Sequence, residues 1–448
     1  MTCRLAAIVL LCLASLASAQ TPAADPTPRM QQIIQSSVDN KAFMGTVLVV
    51  KDGKTILNQG YGSADLEWNI PNTPATKFRL GSLTKQFTAA SILLLEERGK
   101  LNIDDPISKY MPDAPAAWSK ITIYNVLTHT SGIPSFTSFP DYSTTEWKDT
   151  TPADLVARFR DKPLDFEPGT KFSYSNSGYV LLGYLIEKIS GQTYADFLQQ
   201  NIFTPLGMSD TGIDSNAAIL PQRAQGYTPS PKGIHHAGYI SMTIPFSAGA
   251  LYSTTGDLLK WEQGLFGGKI LTPASLTKMT TPFKSDYALG LFISNSNGHR
   301  FIAHGGGIEG FNTSLDYYPD DKLIVIVLAN LNGATDPIAS NLAKVALGQP
   351  VILPSERKSI TVSPTILADY VGTYQMAPEL NNVIAIKDGH LTSKLGKQPE
   401  VDLFAESETK FFLKPVDAQV EFFRDPTTHA VTRLVIYQNG SQHEGKKQ

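Results

Sequence analysis

Ser82 and Lys85 are the residues of this sequence that best combine into a catalytic pair. They stand in Ser82-Leu83-Thr84-Lys85, at the start of a predicted helix, so both side chains lie on one helical face. A serine hydroxyl becomes a nucleophile when a neighbouring base takes its proton, and Lys85 stands where that base is needed. Free backbone N–H groups at the helix start also point toward whatever Ser82 attacks. The pair therefore predicts covalent catalysis through Ser82.

The Ser-x-x-Lys pattern alone is weak, because it occurs three times in the chain. Ser275 and Ser355 begin the other two copies, which end at Lys278 and Lys358. Only Ser82 opens a long apolar helix, whose stripe is formed by Leu83, Phe87, Ala90 and Leu94. We expect Ser275 in a short surface helix and Ser355 in a polar linker. The alternative for Ser82 is a helix-capping serine.

Tyr174 and Asn176 stand in a turn-rich loop that runs into a second apolar helix. In Tyr-x-Asn the two side chains can project from one side of a short extended segment. A nearby Lys85 ammonium is expected to lower the pKa of Tyr174, which would then take up and return a proton. Asn176 donates and accepts hydrogen bonds, which suits a bridge between Lys85 and a substrate amide. The alternative is a buried structural tyrosine, and Tyr437-Gln438-Asn439 repeats the pattern.

His304 is followed by Gly305, Gly306 and Gly307 at the end of a predicted strand. A glycine run there lets a substrate backbone lie close to the strand edge and pair with it. The N–H of Gly307 can then join that of Ser82 as an oxyanion hole. The imidazole of His304 is largely neutral at pH 7 and supplies little fixed charge. The other histidines are predicted to be structural, among them His129, His235, His299, His390, His429 and His443.

The N-terminal residues predict export. Residues 1–19 combine Arg4, an apolar run and a small-x-small ending at Ala19, the pattern of a cleaved secretory signal peptide. The run is too short to span a bilayer and no later stretch is long enough, so we expect a secreted or periplasmic protein without a membrane span. Both cysteines, Cys3 and Cys12, lie in the signal. The mature chain then has no disulfide and no thiol chemistry.

The charge balance argues against a nucleic-acid partner. Removing Arg4 with the signal changes the formal net charge from −3 to −4, which gives no basic footprint for nucleic acid or anionic lipid. We therefore expect a small-molecule or peptide substrate.

The order of strand and helix signals predicts the fold class. Strands near both ends of residues 30–348, with helices between them, indicate an α/β (α+β) fold in which one antiparallel sheet is flanked by helices and carries an inserted helical region. After this domain, a change to short alternating strands, five of them between Val383 and Gln438, predicts a small all-β domain. The remaining boundaries are a disordered tail at 20–29, a linker at 349–364 and the β-barrel domain at 365–448.

Together the three motifs resemble those of the serine β-lactamase and penicillin-binding DD-peptidase superfamily, in particular its class C branch and the related D-aminopeptidases and esterases. The motifs that start at Ser82, Tyr174 and His304 occur in that family's order, 92 and 130 residues apart. The resemblance covers about residues 30–348 and implies a DD-peptidase/β-lactamase-like fold. Residues 365–448 resemble the lipocalin-like extra domain found on some members.

The resemblance implies roles for the motif residues. Ser82 would be acylated, Lys85 would activate it, Tyr174 would shuttle protons, and Asn176 would hold the substrate. His304, Gly306 and Gly307 would bind substrate along the strand edge. β-Lactamases carry lysine where this chain has His304, and a neutral imidazole grips a carboxylate less firmly, so efficient β-lactamase action is not expected.

We therefore predict a serine hydrolase that forms an acyl-enzyme and acts on D-amino-acid peptides or amides, as a DD-carboxypeptidase or a D-aminopeptidase does. One alternative is a carboxylesterase for small acyl esters. The others are a weak β-lactamase and a penicillin-binding sensor that is acylated but hardly turns over. No cofactor or metal is implied, and the oligomeric state stays open.

Overall fold

The computed structural model describes residues 25–333, 335–414, 417–438 and 441–448. The predicted signal peptide, with both cysteines, lies outside these described residues. The tail predicted at 20–29 is wrong at its C-terminal end, because helix α1 spans Thr27–Asp39. Pro28 is compatible with this start, since a helix leaves the first N–H groups without intrahelical partners. No helix in the described ranges combines the length and apolar character that a membrane crossing requires.

The described part of the first domain contains a six-stranded antiparallel sheet. Its strands are β1 Gly45–Lys51, β2 Lys54–Tyr61, β3 Phe292–Ser296, β4 His299–Ile308, β5 Phe311–Tyr318 and β6 Leu323–Ala329. They lie in the order β3-β4-β5-β6-β1-β2. The N-terminal strand β1 pairs with β6 along its whole length. This pairing confirms that one sheet is assembled from both ends of the domain.

Strand β3 begins at Phe292 because the residues before it form a turn. Gly290 has a φ of +74°, and the Ala288 N–H donates to the Leu291 carbonyl at 2.8 Å. A strand cannot continue through this left-handed glycine, so pairing starts only after it.

Helices cover both faces of the sheet. The longest besides α1 are α2 Thr84–Glu97, α3 Asn176–Ser190, α4 Thr255–Phe266 and α5 Asp336–Ala346. Helices α1 and α5 pack on one apolar face of the sheet, while α2 and α4 pack on the other. Nearly all of α2 is buried, which explains why its apolar residues extend around most of the helix.

Shorter elements complete the inserted region and its surroundings. The short helices are Ile123–Leu127, Tyr142–Thr145, Pro152–Arg160, Tyr194–Leu198, Thr204–Leu206, Phe246–Gly249, Pro273–Met279 and Pro364–Tyr370. The short strands are Ser63–Asp65, Ile70–Pro71, Phe78–Arg79, Gly212–Ile213, Tyr227–Ser230, Gly233–His236 and Leu251–Ser253. Ser275 lies in the helix Pro273–Met279, and Ser355 lies in a 3₁₀ turn, Pro354–Glu356.

The described residues after Val371 form a closed antiparallel barrel of eight strands. Its strands are β7 Gly372–Ala377, β8 Leu380–Lys387, β9 His390–Leu395, β10 Val401–Ala405, β11 Lys410–Phe412, β12 Ala418–Arg424, β13 Val431–Gln438 and β14 Ser441–Lys447. Closure brings Tyr374 of the first strand beside Lys447 of the last. The small all-β C-terminal domain is therefore confirmed. The five predicted strands are all present, and β7, β10 and β14 were missed.

Candidate active site

Ser82 lies in a 3₁₀ turn, Gly81–Leu83, that leads directly into α2. The α-helix itself begins at Thr84, so Ser82 stands just before the helix and not within it. Backbone contacts hold the turn in place on both sides. The Leu80 N–H donates to the Leu251 carbonyl, and the Leu80 carbonyl accepts from Thr313 Oγ1, each at 2.8 Å. The hydroxyl of Ser82 is thus presented by a rigid junction between strand and helix.

Lys85 is fully buried beneath Ser82. Its Nζ lies 3.0 Å from Ser82 Oγ, 2.9 Å from Asn176 Oδ1 and 2.9 Å from the Ala248 carbonyl. None of these three partners carries a formal charge. Burial holds the pKa of Lys85 well below its ordinary value, which favours the neutral amine. A neutral amine has two N–H donors and one lone pair, which matches two acceptors and the Ser82 hydroxyl. Lys85 can therefore accept the Ser82 proton.

Tyr174 lies in the segment before α3, and its ring centroid is 4.8 Å from Lys85 Nζ. The prediction that Lys85 lowers the pKa of Tyr174 is wrong. Burial of the phenol raises its pKa, and a hydrogen bond with Ser82 only partly opposes that shift. The physical reason is that Lys85 is itself buried and kept neutral, so it supplies little positive charge to stabilise a phenolate. Tyr174 is therefore a neutral phenol that can donate a proton.

Asn176 is the first residue of α3 and is held on both sides. Its Oδ1 accepts from Lys85, its Nδ2 donates to Thr137 Oγ1 at 3.1 Å, and its backbone N–H donates to Ser135 Oγ at 3.1 Å. The helix starts here because the Ser175 side chain accepts a hydrogen bond from the backbone of the first turn. The helix start thus fixes Asn176 against Lys85.

The strand that carries His304 has an open edge at the site. Strand β3 pairs with β4 only as far as Ala303, which faces Phe292. Within the described residues, the backbone from His304 to Ile308 therefore has no partner strand on that side, while β5 pairs with the other side. An extended substrate can add to such an edge through main-chain hydrogen bonds.

His304 is buried and neutral. Its Nδ1 lies 2.5 Å from the Gly305 carbonyl, and its Nε2 lies 3.2 Å from Tyr287 Oη. A carbonyl only accepts, so Nδ1 carries the proton and Nε2 accepts from Tyr287. Burial lowers the pKa of His304 to about 3. The imidazole is therefore uncharged at pH 7, as the sequence predicts.

The glycine strand lies directly against the turn that carries Ser82. A Cβ atom on Gly81 would lie 2.9 Å from the Gly307 nitrogen, and one on Gly306 would lie 2.0 Å from the Leu80 carbonyl oxygen. Side chains at these two positions would therefore push the strand and the turn apart. The close approach brings the Gly307 backbone beside the Ser82 turn, where the two N–H groups can serve one oxyanion.

Ser82 has an open cleft on one side and a smaller cavity on the other. The cleft is about 610 Å³ and is lined by Ser82, Tyr174 and His304 together with the glycine strand. Among its described lining residues there is no lysine or arginine, and Asp316 and Asp336 line it as well. Burial raises the pKa of both carboxyls, that of Asp316 to about 7.

An aromatic layer behind the site was missed as a functional feature. The His129 ring lies 4.3 Å from that of Tyr174, 5.0 Å from that of Tyr179 and 4.7 Å from that of Tyr287. His129 Nδ1 accepts from the Ser175 N–H at 3.1 Å, which ties the loop to this layer. Two of these rings, those of Tyr174 and Tyr179, lie against Lys85 and help to bury it. No short motif connects these four rings, so only the fold reveals them.

Comparisons with known proteins identify the family of each domain. The Beta-lactamase family model matches residues 30–349, and that of a domain of unknown function, DUF3471, matches residues 356–446. Penicillin-binding protein 4* of Bacillus subtilis (strain 168) is 29% identical over 443 residues, which are 93% of this chain and 97% of that protein.

Solved structures give the same result. The octameric penicillin-binding protein homologue from Pyrococcus abyssi has a TM-score of 0.67 at 25% identity and covers 93% of this chain and 99% of its own. The D-amino acid amidase from Ochrobactrum anthropi SV3, complexed with L-phenylalanine, has a TM-score of 0.64 at 26% identity. The match covers 72% of this chain and 98% of the amidase chain. The fold and these matches define a serine hydrolase. The chain belongs to the β-lactamase family, and the predicted resemblance to that superfamily is confirmed.

Proposed function

We propose that this serine hydrolase is secreted and cleaves D-amino-acid peptides and amides through an acyl-enzyme on Ser82. Export rests on the signal-peptide pattern of residues 1–19. The selection against a substrate carboxylate rests on one observation, a cleft beside Ser82 that holds a neutral His304 and, among its described lining residues, no lysine or arginine. The D-amino-acid class is supported by the likeness to the D-amino acid amidase from Ochrobactrum anthropi SV3. Such a cleft does not favour a substrate carboxylate.

Acylation starts with the neutral Lys85. Its lone pair takes the Ser82 proton at 3.0 Å while Oγ attacks the substrate carbonyl carbon. The negative charge that develops on the carbonyl oxygen is stabilised by the N–H groups of Ser82 and Gly307. The C–N bond then breaks, and Tyr174 gives its proton to the leaving nitrogen. The protonated Lys85 returns a proton to Tyr174, which leaves an ester on Ser82.

Deacylation runs the same proton path in reverse. Water attacks the ester carbonyl, its proton passes to the Tyr174–Lys85 pair, and Ser82 is released with its own proton restored. Asn176 keeps Lys85 in place throughout, because its Oδ1 holds the amine while its Nδ2 is anchored on Thr137. Tyr174 and Lys85 thus move protons in both acylation and deacylation.

Neutral and cationic leaving groups fit this cleft better than carboxylates. A lysine at the position of His304 would offer a charge-assisted hydrogen bond, and its loss costs roughly 1.5–3 kcal/mol. Asp316 and Asp336 would moreover repel a carboxylate when they are ionised. Both points favour amides and D-amino-acid peptides that are cleaved at the amino end. They disfavour β-lactams and peptides whose terminal carboxylate must be bound.

A carboxylesterase remains the second candidate, because a simple ester also needs no charged partner in the cleft. Comparison of kcat/KM for D-alanine p-nitroanilide, its L isomer, p-nitrophenyl acetate and a chromogenic cephalosporin separates the possibilities. We expect the D-anilide to exceed both the L-anilide and the cephalosporin. Hydrolysis of the acetate alone would favour the esterase. A stable adduct on intact-mass spectrometry after incubation with penicillin, without turnover, would favour a sensor.

A further inference from the structure

A second cavity also borders Ser82, and Tyr174 does not line it. It has a volume of about 100 Å³, room for roughly three water molecules. Its walls include Phe136, Tyr142, Ile240, Ile244 and Pro245. Ser82 and Asn176 form its inner end. The cavity is thus a small space with both apolar and polar walls, and it touches the nucleophile.

The position of the proton donor shows which half of a substrate would enter each space. Tyr174 lines the 610 Å³ cleft and is not among the residues that line the small cavity. The donor must face the leaving group, because it protonates the departing nitrogen. The leaving group therefore lies in the large cleft. The acyl group, which stays on Ser82, lies in the small cavity.

One ionisable side chain, that of Glu309, also lines this cavity. It follows strand β4 in the turn with Gly310, two residues after the proposed oxyanion donor Gly307. Its Oε2 is buried and makes no hydrogen bond within the described residues. Burying a carboxylate oxygen without a hydrogen-bond partner costs free energy. This atom is therefore suited to a ligand that supplies a hydrogen-bond donor.

The groups around Glu309 do not neutralise it. Burial is the largest cause of the raised pKa of Glu309, and Glu146 adds to it. The backbone N–H of Glu309 and, more weakly, Arg79 act in the opposite direction, and the Arg79 guanidinium is bonded to Asp214 at 2.7 Å. Tyr142 and Glu309 both line the cavity. A bound cation would supply the positive charge that the side chains around Glu309 do not.

We propose that Glu309 binds the free ammonium group of an amino-acyl substrate, so that Ser82 is acylated by a small N-terminal residue. This inference rests on the proposed function and narrows it to the removal of amino-terminal residues. The carboxylate supplies a charge-assisted hydrogen bond at the acyl side. The volume of the cavity limits the side chain to a small one such as that of alanine. A substrate whose amine is acylated carries no positive charge there, so Glu309 Oε2 would stay buried without a partner.

The test uses two substrates that differ only at the amine, D-alanine p-nitroanilide and N-acetyl-D-alanine p-nitroanilide. For the wild-type protein we expect kcat/KM to be at least about tenfold higher for the free amine, the value of one charge-assisted hydrogen bond. A wild type that prefers the acetylated substrate, or treats the two alike, would overturn the proposal. This comparison needs no variant and is therefore independent of folding.

The variant Glu309→Gln should lower the ratio of the two kcat/KM values about tenfold to a hundredfold, chiefly through the free-amine substrate. The exposed Glu408→Gln in the barrel is the matched control and should leave the ratio at its wild-type value. An unchanged ratio in Glu309→Gln would overturn the proposal. Failure of the proposed function looks different: the wild type would cleave neither anilide, although a fluorophosphonate probe still labelled Ser82.

Discussion

Lys85 Nζ lies 3.0 Å from Ser82 Oγ and is kept neutral by burial, with its other two contacts made to uncharged oxygens. This relationship assigns the proton-accepting role to the lysine and not to the tyrosine. Tyr174, whose pKa burial raises, then carries a proton toward the leaving group. The division of roles has measurable consequences for the pH dependence of the reaction.

The first prediction concerns that pH dependence. A base works only when deprotonated, so kcat/KM for p-nitrophenyl acetate should rise with pH as Lys85 loses its proton. Because burial lowers the pKa of Lys85, the plateau should be reached well below pH 10.5, the ordinary lysine value. His304 cannot cause this rise near neutral pH, since its pKa is about 3. Loss of the rise in kcat/KM in the variant His304→Gln would contradict the assignment of Lys85 as the base.

The second prediction concerns His304 and substrate charge. His304→Lys introduces a cation at the strand edge, which should raise activity on carboxylate-bearing substrates by about one to two decades relative to neutral esters. The measurement is the ratio of kcat/KM for a chromogenic cephalosporin and for p-nitrophenyl acetate, in wild type and variant. If the wild type already prefers the cephalosporin by orders of magnitude, the interpretation of His304 is wrong.

The third prediction concerns the barrel. All described residues that line the cleft and the small cavity lie between Gly81 and Ser340, within the first domain. A chain truncated after Ser359 keeps the ion pair of Arg29 with Glu356 and loses the barrel. It should therefore retain the wild-type rate of acylation by a small ester. Loss of that rate, in a protein whose circular dichroism shows a folded first domain, would mean that the barrel completes the site.

The fourth prediction concerns stability. Glu262 in α4 is buried with both carboxyl oxygens unpartnered among the described residues, and burial raises its pKa to about 8 from an ordinary 4.5. A raised pKa means that folding takes up a proton. The stability contributed by Glu262 is therefore complete below pH 4.5 and is lost as the pH rises toward 8.

Glu262→Gln removes this titration. The variant should gain stability relative to wild type as the pH increases from 4.5 to 8, by roughly 3 kcal/mol at pH 7. Thermal or urea unfolding across that range measures the difference, with the exposed Glu408→Gln as control. A difference that does not change with pH would show that the Glu262 carboxyl is not protonated in the folded state.

Much of the fold and the shape of the site could be predicted from local patterns. Apolar periodicity located α2 and the sheet strands, because both bury one continuous stripe or face. Ser82 could be selected from three copies of its motif because only it opens a long apolar helix. His304 could be selected because a predicted strand precedes its glycines, and Tyr174 because the three motifs follow the family's order. In the structure the three line one cleft.

The remaining features depend on tertiary structure. Strands β7, β10 and β14 mix exposed and buried residues, and barrel closure defines them more than their own residues do. The pKa of Tyr174 was predicted with the wrong sign because burial of both Tyr174 and Lys85 outweighs their mutual attraction. Glu309 has no neighbouring motif in the sequence. Its importance appears only when the fold places its carboxylate in a cavity beside Ser82.

The central claim is that Ser82 is the nucleophile, and labelling by a fluorophosphonate probe tests it most directly. Intact-mass spectrometry should show one adduct on the wild type and none on Ser82→Ala. The controls Ser275→Ala and Ser355→Ala alter the other two Ser-x-x-Lys copies, which lie in a short helix and a 3₁₀ turn, and both should label like the wild type. Undiminished labelling of Ser82→Ala would contradict the whole assignment of the site.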